Sequence, residues 1–336
     1  MIQVAIINDT RPTHHYGCML VMENLTRLLS EKGVEVVWTW PVGIDWRKHK
    51  SKIEKHPKVD AIIVNGEGTI HHSADRKHAR ALAEFASFAN NELKTPSYLI
   101  NATLYENEAS LYENLKAYRA IYVRDNGSLK ELKSFGLSGT YVPDLTFAKA
   151  GSYQRNPIKK GCVIDTALKS EIPALKQYCH ENEFDFRSMV VARASNANFF
   201  KSPRPFVKNI AKWLTHDRHV STKPSAFINY LNEYEVVVTG RYHTVTMCLK
   251  NKIPFVALES NTPKITWVLE ACLGSVDRVM SFDDFKRIKD LKSFINYSDE
   301  ELALLNVFIK NAEVAIYQMI ESVVEDIKFS IELNTD

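Results

Sequence analysis

The segment Thr239-Gly240-Arg241-Tyr242-His243-Thr244 has the residue types for chemistry on an anion. It follows the apolar run 236–238 and leads into a helical pattern carried by Val245 and Leu249. In an open α/β sheet a turn of this kind binds ligands, because the next helix offers unpaired backbone N–H groups and the positive end of its dipole. Arg241 suits a carboxylate or phosphate through paired hydrogen bonds, and His243 can deliver a proton near neutral pH. Gly240, Tyr242 and Thr244 complete the expected donor-binding turn.

Asn65-Gly66-Glu67-Gly68-Thr69 follows the strand-like run 61–64 and is trailed by His71 and His72. Gly66 and Gly68 suggest positive φ and a close approach of backbone to ligand, and Glu67 supplies a carboxylate able to take a proton from a sugar hydroxyl. The competing reading is a tight turn whose carboxylate caps backbone N–H groups. A third group, Asp9 with His14, His15, Tyr16, Gly17 and Cys18, forms an opening loop suited to a polar acceptor. Cys18 at a helix start has the setting of an activated thiol, although no dedicated base can be assigned to it. Adjacent histidines are expected to point apart and no His-Glu-x-x-His spacing occurs, so no metal is expected. Trp38, Trp40 and Trp46 read as core and rim packing rather than as a stacking platform.

These residues need a frame, and the hydrophobic patterning provides one. Short strand-like runs at 3–8, 34–40, 60–65, 96–101, 120–124 and 139–143 alternate with helical spacings such as Ala79, Leu82, Phe85 and Phe88. That alternation predicts βαβ units with a mainly parallel sheet. A polar stretch at 149–160 reads as a linker, and a second series follows with strands at 161–165, 186–191, 235–239 and 253–258. The expected domains are 1–148 on the acceptor side and 161–298 for the donor, with a closing helix from 299 free to pack back on the first. Asn8, Asp9, Asn65, Asn101, Arg124, Asp144 and Arg241 all follow predicted strands, so they should gather at the carboxyl edges of two Rossmann-like, doubly wound sheets facing a cleft, a GT-B-like α/β arrangement.

A chain of 336 residues, 45% apolar and 25% charged, has length and apolar content for two cores. A net charge of +3 is too small to argue for nucleic acid, which is neither indicated nor excluded. Five widely spaced cysteines without a Cys-x-x-Cys pair favour a reducing compartment. With no basic leader and no long apolar run, a cytoplasmic enzyme without a transmembrane segment is expected.

Taken in order, Gly66-x-Gly68-Thr69, then Tyr122-Val123-Arg124-Asp125-x-x-Ser128-Leu129, then Val142-Pro143-Asp144-Leu145-Thr146-Phe147, then Thr239-Gly240-Arg241-Tyr242-His243 with Pro254 and Lys264 downstream, resemble the polysaccharide pyruvyl transferase family. The resemblance implies a two-domain glycosyltransferase-like fold and transfer of a pyruvyl unit from phosphoenolpyruvate to a carbohydrate acceptor. It also implies that Arg124 and Arg241 hold the donor's carboxylate and phosphate, that His243 is a general acid, and that Asp144 and Ser128 hold loops. No cofactor is implied beyond the donor. The sequence departs from the family at Gly17-Cys18, Glu67 and Tyr242. These departures leave open a glycosyltransferase using a nucleotide-activated sugar, with a glycan or modified nucleic acid as acceptor, and a non-catalytic glycan- or nucleotide-binding protein.

Overall fold

A computed structural model describes residues 1–148, 155–193, 203–288, 291 and 295–333. The linker expected at 149–160 lies outside the described residues as far as 154, and its last two residues already belong to a strand. The chain divides into two compact units: Met1–Pro12, Val21–Lys149 and Asn306–Asp336 form the first, while Thr13–Leu20 and Ala150–Leu305 form the second.

In the first unit, β1 (Ile2–Asp9), β2 (Val34–Pro41), β3 (Ala61–Glu67), β4 (Ser97–Ala102), β5 (Ala120–Val123) and β6 (Thr140–Tyr141) form a sheet in the order β2-β1-β3-β4-β5-β6, every neighbouring pair parallel. Parallel strands covered on both faces are apolar throughout, and residues 4–9 of β1 and all of β3 and β4 are buried. Helices α1 (Tyr16–Glu31), α2 (Lys50–Ile53), α3 (Lys77–Phe88), α4 (Ala109–Leu115) and α5 (Asn126–Ser134) join these strands. Asp125 caps α5 by accepting from the Ser128 amide at 2.8 Å, and beyond its end Gly136 adopts φ +69°. Trp38, Trp40 and Trp46 are core residues.

In the second unit, β7 (Lys159–Thr166), β8 (Asp185–Arg187), β9 (Tyr234–Gly240), β10 (Phe255–Leu258) and β11 (Val279–Met280) pair in the order β11-β10-β9-β7-β8, again all parallel. Its helices are α6 (Ile172–Asn182), α7 (Pro203–Lys212), α8 (Pro224–Asn232), α9 (Tyr242–Asn251), α10 (Lys264–Leu273) and α11 (Phe282–Arg287). The closing helix α12 (Asp299–Leu333) starts in this unit, and its greater part, from Asn306, belongs to the first.

Read from its first strand, each sheet runs to one side and then returns to pass the start on the other. Such a reversal opens a crevice at the carboxyl ends of the two strands that flank it. The reversal falls between β1 and β3 in the first unit and between β7 and β9 in the second. No helix of the described residues is long and apolar enough to cross a membrane.

Thr13–Leu20, assigned to the first domain with the acceptor residues His14, His15, Tyr16 and Gly17, clusters with the second unit. The cause is backbone pairing: the Tyr16 amide donates to the Met189 carbonyl at 3.2 Å and the Val191 amide to the His14 carbonyl at 3.1 Å. The strand expected at 186–191 accordingly stops at Arg187, because the residues after it pair with this loop instead of the sheet.

Candidate active site

At the reversal of the second sheet, β7 ends in Asp165 and Thr166, and β9 ends in Thr239 and Gly240, with Thr166 in register with Gly240. A side chain at Gly240 would lie 2.3 Å from the Thr166 hydroxyl, so glycine lets the two strand ends close together. Arg241 follows as the N-cap of α9, yet its side chain makes no capping bond. It reaches instead to Asp165, with Nε 2.9 Å from Oδ1 and Nη2 3.1 Å from Oδ2. Asp165 also accepts from the Met189 amide and the Ser188 hydroxyl. This carboxylate was not anticipated from the sequence, although the strand-end rule that selected Asp144 applies equally to it.

His243 stands in the first turn of α9 and is buried. Gly17 packs against it so closely that a Cβ there would fall 2.1 Å from the His243 Cβ. The His15 ring meets the His243 ring edge-on at 5.5 Å between centroids. Burial, with positive charge from His243, Arg241 and Lys264, holds the His15 imidazole well below the usual histidine value of 6.5. His15 is therefore neutral near pH 7. Burial, reinforced by Arg193, lowers His14 as well.

Lys264 opens α10, just as Arg241 and His243 open α9. Isolated helices favour anions at their amino ends and cations at their carboxyl ends. Three basic side chains thus stand at the amino ends of two successive helices, where the backbone itself favours an anion, and Asp165 already offsets one of them. Tyr242 and Thr244 point into packing, with the Thr244 hydroxyl 3.3 Å from the Met189 sulfur. Tyr16 is wholly buried: its hydroxyl donates to the Ser221 carbonyl at 2.6 Å and accepts from Arg187 at 2.7 Å. It braces the loop through these two bonds.

The first unit gathers a separate polar edge. Asn8, Glu67 and Asn101, at the ends of the adjacent strands β1, β3 and β4, all have positive φ, at +65°, +39° and +56°. A left-handed backbone costs a non-glycine residue on the order of 1–3 kcal/mol, and such strain concentrates at functional sites. Glu67 Oε1 accepts from the Thr10 hydroxyl at 2.6 Å and from Asn65 Nδ2 at 2.8 Å. Asn65 Oδ1 and Asn101 Nδ2 are buried without hydrogen-bond partners. The positive φ expected of Gly66 and Gly68 is thus found at Glu67 between them. Gly66 is required for packing, since a Cβ there would sit 2.5 Å from that of Ala102 on β4, while one at Gly68 would meet Arg124 Nη2 at 3.4 Å.

Several other expected ligand residues are engaged within the unit. Arg124 is bound through Nε to the Thr103 hydroxyl at 2.7 Å and through Nη1 to Asp144 at 2.8 Å, with side chains 2% and 0% exposed. That buried pair ties β5 to the segment after β6. Asp9 is held by Arg11 and Thr39; burial raises its carboxyl, but these hydrogen bonds prevail and the net shift is downward. His71 and His72, expected to point apart, bring their Nδ1 atoms to 2.7 Å. His71 also contacts Arg76, and His72 pairs with Glu106 at 3.0 Å.

Comparison with known proteins follows the same lines. A family model described as polysaccharide pyruvyl transferase matches residues 15–262. No curated protein matches the chain. Among solved structures, the S. aureus MnaA–UDP co-structure is 14% identical with TM-score 0.57, covering 100% of this chain and 98% of that one. α,α-Trehalose 6-phosphate synthase from Burkholderia multivorans is 10% identical with TM-score 0.54, covering 99% and 98%. UDP-GlcNAc 2-epimerase from Methanocaldococcus jannaschii, in complex with UDP-GlcNAc and UDP, is 11% identical with TM-score 0.51, covering 91% and 99%. At these identities the likeness establishes a GT-B-like fold and nothing about ligands.

Proposed function

The chain belongs to the polysaccharide pyruvyl transferase family, and we propose that it transfers a pyruvyl unit from phosphoenolpyruvate to a carbohydrate as a ketal, holding the donor on the second unit. The observation that supports this most is the convergence of Arg241, His243 and Lys264 at the amino ends of α9 and α10, beside the β7–β9 reversal. Phosphoenolpyruvate carries a phosphate and a carboxylate on three carbons, so it needs cationic groups at close quarters. Arg241 offers a guanidinium oriented by Asp165, and Lys264 an ammonium at the start of α10.

The chemistry assigns the remaining roles. Ketal formation adds one proton to C3 of the enol phosphate, makes two C–O bonds at C2 to acceptor hydroxyls and breaks the C2–O bond to phosphate. Of the two hydroxyl protons released, one balances the C3 proton and the other leaves with phosphate. His243 is the proton donor to C3, and the α9 amino end with Arg241 stabilises the departing phosphate. Neutral His15 beside it keeps a second positive charge away from the ring. For the acceptor hydroxyl we assign Glu67 as base. Its support is the left-handed backbone at a strand end and the two donors that fix Oε1.

A thermal-shift series with phosphoenolpyruvate, nucleoside diphosphates and nucleotide sugars tests the donor, because a ligand of the folded state alone raises the melting temperature. Phosphoenolpyruvate should stabilise the chain, and His243→Asn should retain that shift while losing phosphate release on incubation with acceptor glycans. Stabilisation by nucleotides without any from phosphoenolpyruvate would replace this reading with glycosyl transfer.

A further inference from the structure

We propose that His15, Cys18 and His243 form a site for one thiophilic divalent cation of the zinc type, and that filling it switches the enzyme off by withdrawing the His243 imidazole from proton transfer. The switching part rests on the role given to His243 above; the binding part does not.

One ring nitrogen from each histidine and the Cys18 sulfur lie within 4.8 Å of one another. A tetrahedral zinc with bonds of about 2.0–2.1 Å to nitrogen and 2.3 Å to sulfur needs ligand atoms about 3.4–3.6 Å apart. A contraction of about 1 Å, within the reach of side-chain rotation, would close the set. The backbone fixes the starting geometry. His15 lies two residues before Gly17 and Cys18 one after it; Gly17 has no side chain and packs directly on His243, and the Cys18 amide approaches His15 Nδ1 at 3.4 Å.

The donor set also selects the metal. Two imidazoles and a thiolate suit zinc or cobalt, whereas magnesium and calcium require oxygen ligands. Asp165, the carboxylate at this sheet edge, is engaged by Arg241. Arg241 and Lys264 both act on His15 with positive charge, so the position rejects a loosely held hard cation. It admits one whose bonds to nitrogen and sulfur outweigh that repulsion. Cys18 is moreover the one cysteine of the five that is not buried, and none is disulfide-bonded. Binding displaces the thiol proton to solvent, uses both imidazoles in their neutral form, and involves no oxidation.

Cobalt(II) is the probe. Titrated into the full chain, it should bind one ion per molecule and develop thiolate-to-cobalt charge-transfer absorption, which zinc removes by displacement. Cys18→Ala should lose that absorption, and His15→Gln should weaken cobalt binding even if the cysteine variant proves unstable. Absence of the charge-transfer band in the natural chain, or its persistence in Cys18→Ala, overturns the site. Zinc should also abolish phosphate release from phosphoenolpyruvate, with recovery on chelation; full turnover with the site occupied overturns the switch. Cobalt binding in a chain inert toward phosphoenolpyruvate would leave the site standing and remove the donor reading, so the two failures are distinguishable.

Discussion

Arg241 occupies a position that helix energetics disfavour, a cation at the amino end of α9, and Asp165 is what makes it tolerable. The Asp165 side chain is 7% exposed and the Arg241 side chain 25%. Removing the guanidinium therefore strands a mostly buried carboxylate. Breaking a fully buried pair costs about 3–5 kcal/mol, but here water reaches the arginine side and two other donors remain on Asp165, so about 1–2 kcal/mol is expected. Arg241→Ala should lose phosphate release and that much stability in urea denaturation. The double change Arg241→Ala with Asp165→Asn should restore the stability and leave activity lost, because an amide tolerates the site without a cation. If the double variant stays as unstable as the single one, the pair is not what Asp165 is for. Arg241 and His243 were legible in the sequence because a strand, a glycine and two basic residues sit in six consecutive positions. The pairing of Arg241 with Asp165 was not: Asp165 ends a strand as Asp144 does, but its partner lies 76 residues away and contact across a sheet leaves no local mark.

Among elements, α1 and α9 show how a site is assembled from helix starts. Each contributes its first turn, and Gly17 sits where the two come closest. Its φ is not in the left-handed region, so the requirement for glycine is steric alone. Gly17→Ala would drive a methyl group into the Cβ of His243, and neither backbone can retreat without breaking the pairing of residues 14–16 with residues 189–191. The variant should lose activity and about 1–3 kcal/mol, the usual cost of overpacking, and its cobalt affinity should fall with the activity. Normal activity would mean that this contact is looser in solution. The long strands of both sheets were readable as apolar runs between turns. Two short stretches were not: β11 has only two residues, and the run 188–191 is apolar enough for a strand but pairs with a loop. Hydrophobic pattern identifies a buried segment and leaves its hydrogen-bond partner undetermined.

At the scale of the molecule, the chain's two ends belong to one unit. Ile316, Met319, Ile320, Val323, Val324 and Ile327 of α12 are each at most 3% exposed and recur at the three- and four-residue spacing of one helix face. Ion pairs fasten the same helix within the first unit: Lys32 to Glu321 at 2.7 Å, and Arg119 to Asp326 at 2.9 Å, where Tyr98 also donates to Asp326. Burying an aliphatic side chain contributes about 1.5–3 kcal/mol, so these six supply about 9 kcal/mol at the low end, comparable to the whole stability of a typical domain. The ion pairs, partly exposed, add little to that sum. A chain ending at Leu305 should therefore lack a folded first unit, giving poor solubility and loss of helical circular dichroism well beyond the residues removed. Supplying residues 306–336 as a separate peptide should restore solubility if packing of this face is the cause. A truncated chain that stays soluble and melts as cooperatively as the intact one would show that the first unit's core closes without α12.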